Sequence, residues 1–309
     1  MPCFHVGGSL WGLNTLGNGA TGVIMREFDA GQVLDFIDEF KISKIFLVPA
    51  AMQFIVNQPK AKEVDFSQLK YILYGASPIP LALFQKAIDV FQCGFVQMYG
   101  MTETSGTIVA LPPEDHSIDG NEKMLSAGKP LPGIELTVLD ENGKQLPAGQ
   151  IGEIATRSSM NMTRYWNLPD ATTATLSEDG WLRTGDAGYL DEDGYVYIQD
   201  RVKDMIISGG ENIYPAEVEN AIYGHPEIAD VGVIGVPDPK WGEAVMACVL
   251  LKDGANLSES EIIEWARQHI AGYKCPKSVT FVSELPRNPS GKILRRELRA
   301  RFGKTKPAP

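Results

Sequence analysis

The chain has 309 residues, 44% hydrophobic and 22% charged, an ordinary composition for a soluble globular protein able to bury a core. Lys plus Arg number 28 against 39 Asp plus Glu, a net charge of −11 that argues against nonspecific nucleic-acid binding. The cysteines (Cys3, Cys93, Cys248, Cys275) and histidines (His5, His116, His225, His269) are scattered, so no structural metal site or paired-thiol motif is expected, and reduced thiols in a cytoplasmic protein are.

Residues 1–25 carry no Lys, Arg, Asp or Glu. A signal peptide or membrane span is rejected, because no basic leader is present and Gly7, Gly8, Gly12, Gly17, Gly19 and Gly22 interrupt the stretch. A buried glycine-rich helix and turn is expected there, and so apolar a start suggests that the chain is cut. Val33, Phe36, Ile37 and Phe40 predict a helix over 32–40, and a further helix is predicted over 80–92. Short apolar strands are predicted over 44–49, 71–74 and 95–98, the last two running into glycine-rich loops. This is α/β material, in which ligands bind at strand ends.

From 133 to 199 the pattern turns β-rich, with strands over 134–139, 152–157 and 195–199 and turn signals at Glu141-Asn142-Gly143 and Asp191-Glu192-Asp193-Gly194. A small barrel or a second sheet satisfies it. After Asp200, helices are predicted over 215–223, 258–271 and 291–302, the second with Ser258 and Glu261 as a capping box and the third strongly basic. With strands over 231–236 and 245–251 this makes a small α+β domain. Residues 304–309 are expected to be disordered.

Four segments suit chemistry, each with a plainer reading beside it. Tyr99-Gly100-Met101-Thr102-Glu103 ends a strand with a hydroxyl next to a carboxylate, suited to a phosphate oxygen and a Mg²⁺ ion; a turn with Thr102 capping a helix fits equally. In Trp181-Leu182-Arg183-Thr184-Gly185-Asp186 a carboxylate follows glycine, as a ribose diol requires and as ordinary turns also show. Asp200-Arg201-Val202-Lys203-Asp204 leads through an apolar strand to Ser208-Gly209-Gly210-Glu211-Asn212, where paired glycines admit a ligand or simply turn a hairpin. In Pro286-Arg287-Asn288-Pro289-Ser290-Gly291-Lys292 a lysine follows glycine, suited to a phosphate or carboxylate. Alone, it reads as one more solvated cation on a helix that also carries Arg295, Arg296, Arg299 and Arg301.

Taken in order, these segments resemble the adenylate-forming superfamily of acyl- and aryl-CoA synthetases, adenylation domains and firefly luciferase. The resemblance also rests on Pro2-Cys3-Phe4-His5, Tyr74-Gly75-Ala76-Ser77-Pro78, Gly152-Glu153-Ile154, Val236-Pro237-Asp238 and Trp241-Gly242-Glu243. The general similarity is greatest to bacterial fatty-acyl-CoA synthetases. It implies an α/β part of a large AMP-binding domain over 1–202, with a small β-barrel-like section, and a small, mobile α+β domain over 203–309 hinged near Lys203. It implies the AMP-forming ligation of a carboxylic acid to coenzyme A through an acyl-adenylate, with ATP/AMP, Mg²⁺ and coenzyme A taking part.

By the same resemblance Gly75, Ala76 and Ser77 line one adenine face and Tyr99 stacks on the other. Thr102 binds the α-phosphate, Glu103 holds Mg²⁺, Asp186 and Arg201 take the ribose hydroxyls, and Lys292 reaches the acyl carboxylate and α-phosphate. Rotation about Lys203 would bring Ser208, Gly209, Gly210, Glu211 and Asn212 to a pantetheine tunnel, with Trp241, Tyr273 and Lys274 near the coenzyme A nucleotide. His5 matches a position by the acyl pocket, or is a packed histidine.

The sequence departs from that pattern in two places. The family's Ser/Thr/Gly-rich phosphate loop with its lysine is not among the 309 residues, so weak nucleotide binding, impaired adenylation and self-association through exposed apolar surface are expected of this chain. Ser158 and Arg164 stand near positions where the family usually has glycine, so a rearranged loop is expected. The competing readings are a non-catalytic nucleotide- or partner-binding fragment and a carrier-protein-loading adenylation domain.

Overall fold

The computed structural model describes residues 3–75, 79–288 and 291–303. Ala76, Ser77, Pro78 and the tail expected to be disordered lie outside the described residues. The chain divides into two compact units: Met1–Thr184 with Gly188–Ile198 and Pro289–Gly291, and Gly185–Ala187 with Gln199–Asn288 and Lys292–Pro309.

In the first unit, α1 (Val6–Gly17), α2 (Ala30–Glu39), β1 (Lys44–Leu47), α3 (Pro49–Val56), β2 (Tyr71–Gly75), α4 (Leu81–Phe91) and β3 (Gly94–Met101) give the α/β alternation read from the sequence. Parallel β1, β2 and β3 are extended by antiparallel β4 (Gly106–Leu111) and β5 (Lys129–Pro130), in the order β1-β2-β3-β4-β5. Apolar faces of α2, α3 and α4 meet the parallel strands in one core, where Leu34, Met52, Ile55, Ile72, Tyr74, Phe84 and Phe91 are fully buried.

Helix α1 forms where a glycine-rich helix was expected, but none of its residues is buried, and Leu13 and Leu16 are 65% and 73% exposed. The expectation of burial is therefore corrected: among the described residues nothing covers that face. His5 caps this helix, its ring Nδ1 accepting the Gly7 amide hydrogen at 3.1 Å.

The β-rich section is a four-stranded sheet of β6 (Glu135–Leu139), β7 (Gly152–Arg157), β8 (Leu182–Leu190) and β9 (Val196–Arg201), with the helix α5 (Pro169–Thr175) between β7 and β8 in the chain. Its order β6-β7-β8-β9 leaves β6 and β9 as edges, so the expected barrel-like section is, among the described residues, an open sheet.

The second unit holds β10 (Ile206–Ser208), β11 (Glu211–Ile213), α6 (Pro215–Tyr223), β12 (Ile228–Asp238), β13 (Gly242–Leu251), α7 (Glu259–His269), β14 (Ser278–Phe281) and α8 (Arg295–Phe302). Its sheet runs β11-β10-β13-β12, with β14 parallel to β13. Val218 and Ile222 of α6 and Ile262 and Ala266 of α7 pack with Val231, Val233, Val245, Ala247 and Val249. Ser258 and Glu261 make the expected capping box. The basic helix starts at Arg295 rather than at 291, because Gly291 is left-handed (φ 85) and Ile293 bridges to Arg287, which holds the intervening chain extended. Among the described residues no helix is long and apolar enough to cross a membrane.

Candidate functional site

Strands β2 and β3 run parallel with Gly75 opposite Met98, so Gly75 and Tyr99 lie at the same ends of neighbouring strands. A Cβ on Gly75 would collide with the Met98 carbonyl oxygen, and one on Gly100 with the Gly106 carbonyl oxygen. Both positions demand glycine because backbone passes directly over them. A register shift between Tyr99 and Gly100 bends β3 at this point.

Thr102–Thr104 then forms a single 3-10 turn, and Ser105 (φ 54) and Gly106 (φ 115) reverse the chain into β4. Thr102 is thus exposed and caps no helix; Thr104 is the buried anchor, its hydroxyl donating to the Gly106 carbonyl at 2.7 Å. Glu103 is held from the loop that follows β7. The Tyr165 hydroxyl donates to Glu103 Oε1 at 2.8 Å, and the Met162 amide donates to the Glu103 carbonyl at 2.7 Å. A third tie joins the Ser105 hydroxyl to the Met160 carbonyl at 2.7 Å. The loop expected to rearrange near Ser158 and Arg164 also brings Tyr165 to the Glu103 carboxylate, a contact not expected from the sequence. Its one signal was an aromatic hydroxyl in a polar loop.

In the other unit, Asp186 is 5% exposed and pairs with Arg201, Nε to Oδ1 at 2.9 Å. Residues 186 and 201, on strands separated by one turn, meet because β8 and β9 are neighbours in the sheet. Lys292 joins them electrostatically. Its residue surface remains open, yet surrounding atoms strip enough water from the ammonium to push its pKa below the usual lysine value. The like charge of Arg201 adds to the depression and Asp186 opposes it. Arg295, expected on a solvated helix face, is instead 10% exposed at its side chain and bonded to Asp200 and Glu219. Burial raises the pKa of Glu219 and the guanidinium of Arg295 opposes that rise.

Ser208 pairs with Glu211 across a two-residue hairpin in which Gly209 (φ 62) and Gly210 (φ 86) both take left-handed backbone. Gly209 lies under the Trp241 ring, which a Cβ would approach to 2.7 Å, and its amide donates to the Trp241 carbonyl at 2.8 Å. Glu211, Asn212, Trp241 and Tyr273 are exposed, whereas Lys274 is held by Glu217 at 2.6 Å. Lys203 is exposed in a 3-10 turn over Val202–Asp204.

Of the expected site residues, the structure brings Gly75, Tyr99, Thr102 and Glu103 to one region of the first unit. It brings Asp186, Arg201 and Lys292 to one region of the second. Among the described residues no group of three His, Cys, Asp or Glu is placed to hold a metal ion by itself. Glu103 offers a single carboxylate, which suits Mg²⁺, an ion usually held by one or two carboxylates together with substrate phosphates.

Known proteins carry the same architecture. The family model of the AMP-binding enzyme matches residues 1–166, and that of the AMP-binding enzyme C-terminal domain matches 217–292. The fatty acid–[acyl-carrier-protein] ligase ScoC of Streptomyces coeruleorubidus is 45% identical over 302 residues, covering 98% of this chain and 58% of ScoC. The amide bond synthetase McbA from Marinactinospora thermotolerans superposes with a TM-score of 0.90 at 35% identity, covering 98% of this chain and 61% of McbA. The o-succinylbenzoate CoA synthetase MenE from Bacillus subtilis, in complex with its acyl-adenylate intermediate, superposes with a TM-score of 0.85 at 35% identity, covering 97% and 59%. The chain spans about three-fifths of the length of these relatives. With one family model over more than half of its residues and a second over its carboxy-terminal part, the chain belongs to the AMP-binding enzyme family, within the adenylate-forming superfamily.

Proposed function

We propose that this chain carries the nucleotide-binding and mobile parts of an AMP-forming acyl-CoA synthetase of the fatty-acid type. The observation that carries the reading is the Asp186–Arg201 pair with the depressed ammonium of Lys292 beside it. A carboxylate and a guanidinium suit a ribose diol. A lysine placed among charges suits the moment when a carboxylate attacks an α-phosphate and negative charge builds.

In this reading Gly75, Ala76, Ser77 and Tyr99 take the adenine, Thr102 the α-phosphate, and Asp186 and Arg201 the ribose. Lys292 offsets the charge of the acyl carboxylate and phosphate. Glu103, aligned by Tyr165, would hold Mg²⁺, which when bound neutralises phosphate charge. The large and small domains would be 1–202 and 203–309, with Lys203 at the hinge. Rotation there would exchange Lys292 for Gly209, Gly210 and Glu211, with Trp241, Tyr273 and Lys274 toward coenzyme A. The pairing of Lys274 with Glu217 means that it would have to leave a carboxylate to meet a phosphate.

The three named relatives are a fatty acid–[acyl-carrier-protein] ligase, an amide bond synthetase and a CoA synthetase, so their names differ in the acceptor, and activation of an acid is the part that the reading takes from them. A phosphopantetheine thiol on a carrier protein is the second reading for the acceptor, favoured by the identity to ScoC. Calorimetric titration with AMP and with a non-hydrolysable acyl-sulfamoyl-adenosine tests the core of the proposal. The chain is expected to bind the acyl-sulfamoyl-adenosine more tightly than AMP, and Asp186→Ala is expected to weaken both about tenfold or more. No binding of either would overturn it. In this reading the phosphate loop is not among these 309 residues, and ATP–pyrophosphate exchange by them alone is expected to be far below that of a full-length relative. Turnover with ATP, fatty acid and either coenzyme A or a holo carrier protein decides the acceptor and separates a catalyst from a nucleotide-binding module.

A further inference from the structure

One guanidinium on α8 gathers carboxylates from both sides of Lys203. Arg295 Nη1 donates to Asp200 Oδ1 at 2.9 Å and lies 3.6 Å from Asp204 Oδ2. Its Nε and Nη2 donate to Glu219 Oε1 and Oε2 at 3.2 and 2.7 Å, a bidentate pair. Each carboxylate is itself fixed. Asp200 Oδ1 accepts the Arg201 amide at 2.7 Å and Oδ2 the Ala216 amide at 2.8 Å. Asp204 accepts from Arg299 at 2.7 Å, and Glu219 accepts the Val233 amide at 2.8 Å. The side chains of Arg295 and Asp200 are 10% and 5% exposed, so solvent screens this pair little.

The arms are not equivalent. Glu219, Asp204 and Arg299 all follow Lys203 in the chain, as Arg295 does; Asp200 precedes it. Turning the chain about Lys203 would break only the Asp200 arm and leave Arg295 neutralised by Glu219 and Asp204. Such an arrangement can open without stranding Arg295, as an isolated pair could not; Asp200, which would also give up the Ala216 amide, is the group that must then meet water. Asp200 is also the residue before Arg201, and Arg295 lies three residues after Lys292. The arm therefore ties the segment bearing the lysine to the segment bearing the Asp186–Arg201 pair.

We infer that Arg295 is a positioning residue whose bond to Asp200 latches the segment around Lys203 and holds Lys292 at the Asp186–Arg201 pair. The inference rests on the proposed function through the hinge at Lys203. Amide hydrogen exchange of the segment 199–206 tests it, compared with exchange in β12 and β13 of the same unit. Asp200→Asn keeps one acceptor for the backbone amides but removes the charge facing Arg295, and is expected to speed exchange over 199–206 about tenfold while β12 and β13 stay at the wild-type rate. Arg295→Met is expected to do the same or more, and Arg295→Lys to restore part of the protection. A merely structural role would speed the sheet and the hinge segment together. Unchanged exchange over 199–206 in Asp200→Asn, or equal acceleration in β12 and β13, overturns the latch. Should Arg295→Met fail to fold, Arg295→Gln, which leaves both amide bonds of Asp200 in place, decides. Binding of the acyl-sulfamoyl-adenosine is measured in parallel: its absence in wild type sinks the functional reading, whereas the exchange result speaks only to the latch.

Discussion

Single atoms decide several positions. Gly100 has backbone where a side chain would go, so Gly100→Ala should cost about 3 kcal/mol or more in chemical denaturation, a backbone clash that no rotamer relieves. Buried His116 offers a second case. Its Nδ1 lies 2.9 Å from the Pro112 carbonyl and must carry hydrogen, while its Nε2 and Gln97 Oε1 share the Tyr74 hydroxyl at 3.0 Å each. Burial pushes its pKa below the ordinary 6.5, partly offset by the Pro112 carbonyl. A group with a lowered folded-state pKa binds its proton more readily in the unfolded chain. Its stabilising contribution is therefore full above pH 6.5 and is lost as pH falls below that toward the folded-state value. Denaturant melts over that window should show wild type losing stability and His116→Phe losing less, from a lower starting level. A slope identical in the two proteins would exclude His116 as the group responsible.

Elements were legible where local chemistry alone shapes them. The helices α2, α4, α6 and α7 follow from apolar spacing and end signals, and β7 and α6 run over the residues expected. Strand β4 was not expected, because left-handed Ser105 and Gly106 start it abruptly after a turn. Strand β8 hid because Gly185 (φ 72) and Gly188 break its alternation. Gly188 is glycine for a packing reason: a Cβ there would meet the Tyr197 carbonyl oxygen on β9. The loop after β7 behaves as an element too, since its three bonds to residues 103 and 105 hold it. Tyr165→Phe should remove the hydroxyl bond to the Glu103 carboxylate and cost about 1–2 kcal/mol, measured by denaturation, with looser exchange at the Met162 amide.

At the scale of the whole molecule the chain has separate apolar cores, one around Tyr74, Phe84 and Phe91 and another around Val218, Val233 and Ile262. Separate cores predict departures from two-state unfolding. Phe84→Ala and Ile262→Ala, each at a fully buried position, should cost about 3–5 and 2–5 kcal/mol. Hydrogen exchange should place the first loss in β1–β3 and the second in β12–β13. Coincident transitions with uniform exchange changes would contradict this.

The sequence by itself determined the alternation of helices and strands, the glycine-marked turns and the family, because those depend on spacing within a few residues and on the order of motifs. Only the tertiary structure decided that Asp186 meets Arg201, that Tyr165 holds Glu103, that the β-rich section stays open, and that Leu13 and Leu16 of α1 are exposed. It alone turned Arg295 from one of four arginines on α8 into the partner of Asp200, Asp204 and Glu219. The physical reason is common to all of these. A charge or an apolar face acquires its role from what lies across the fold, and partners up to 95 residues away leave no trace in local spacing.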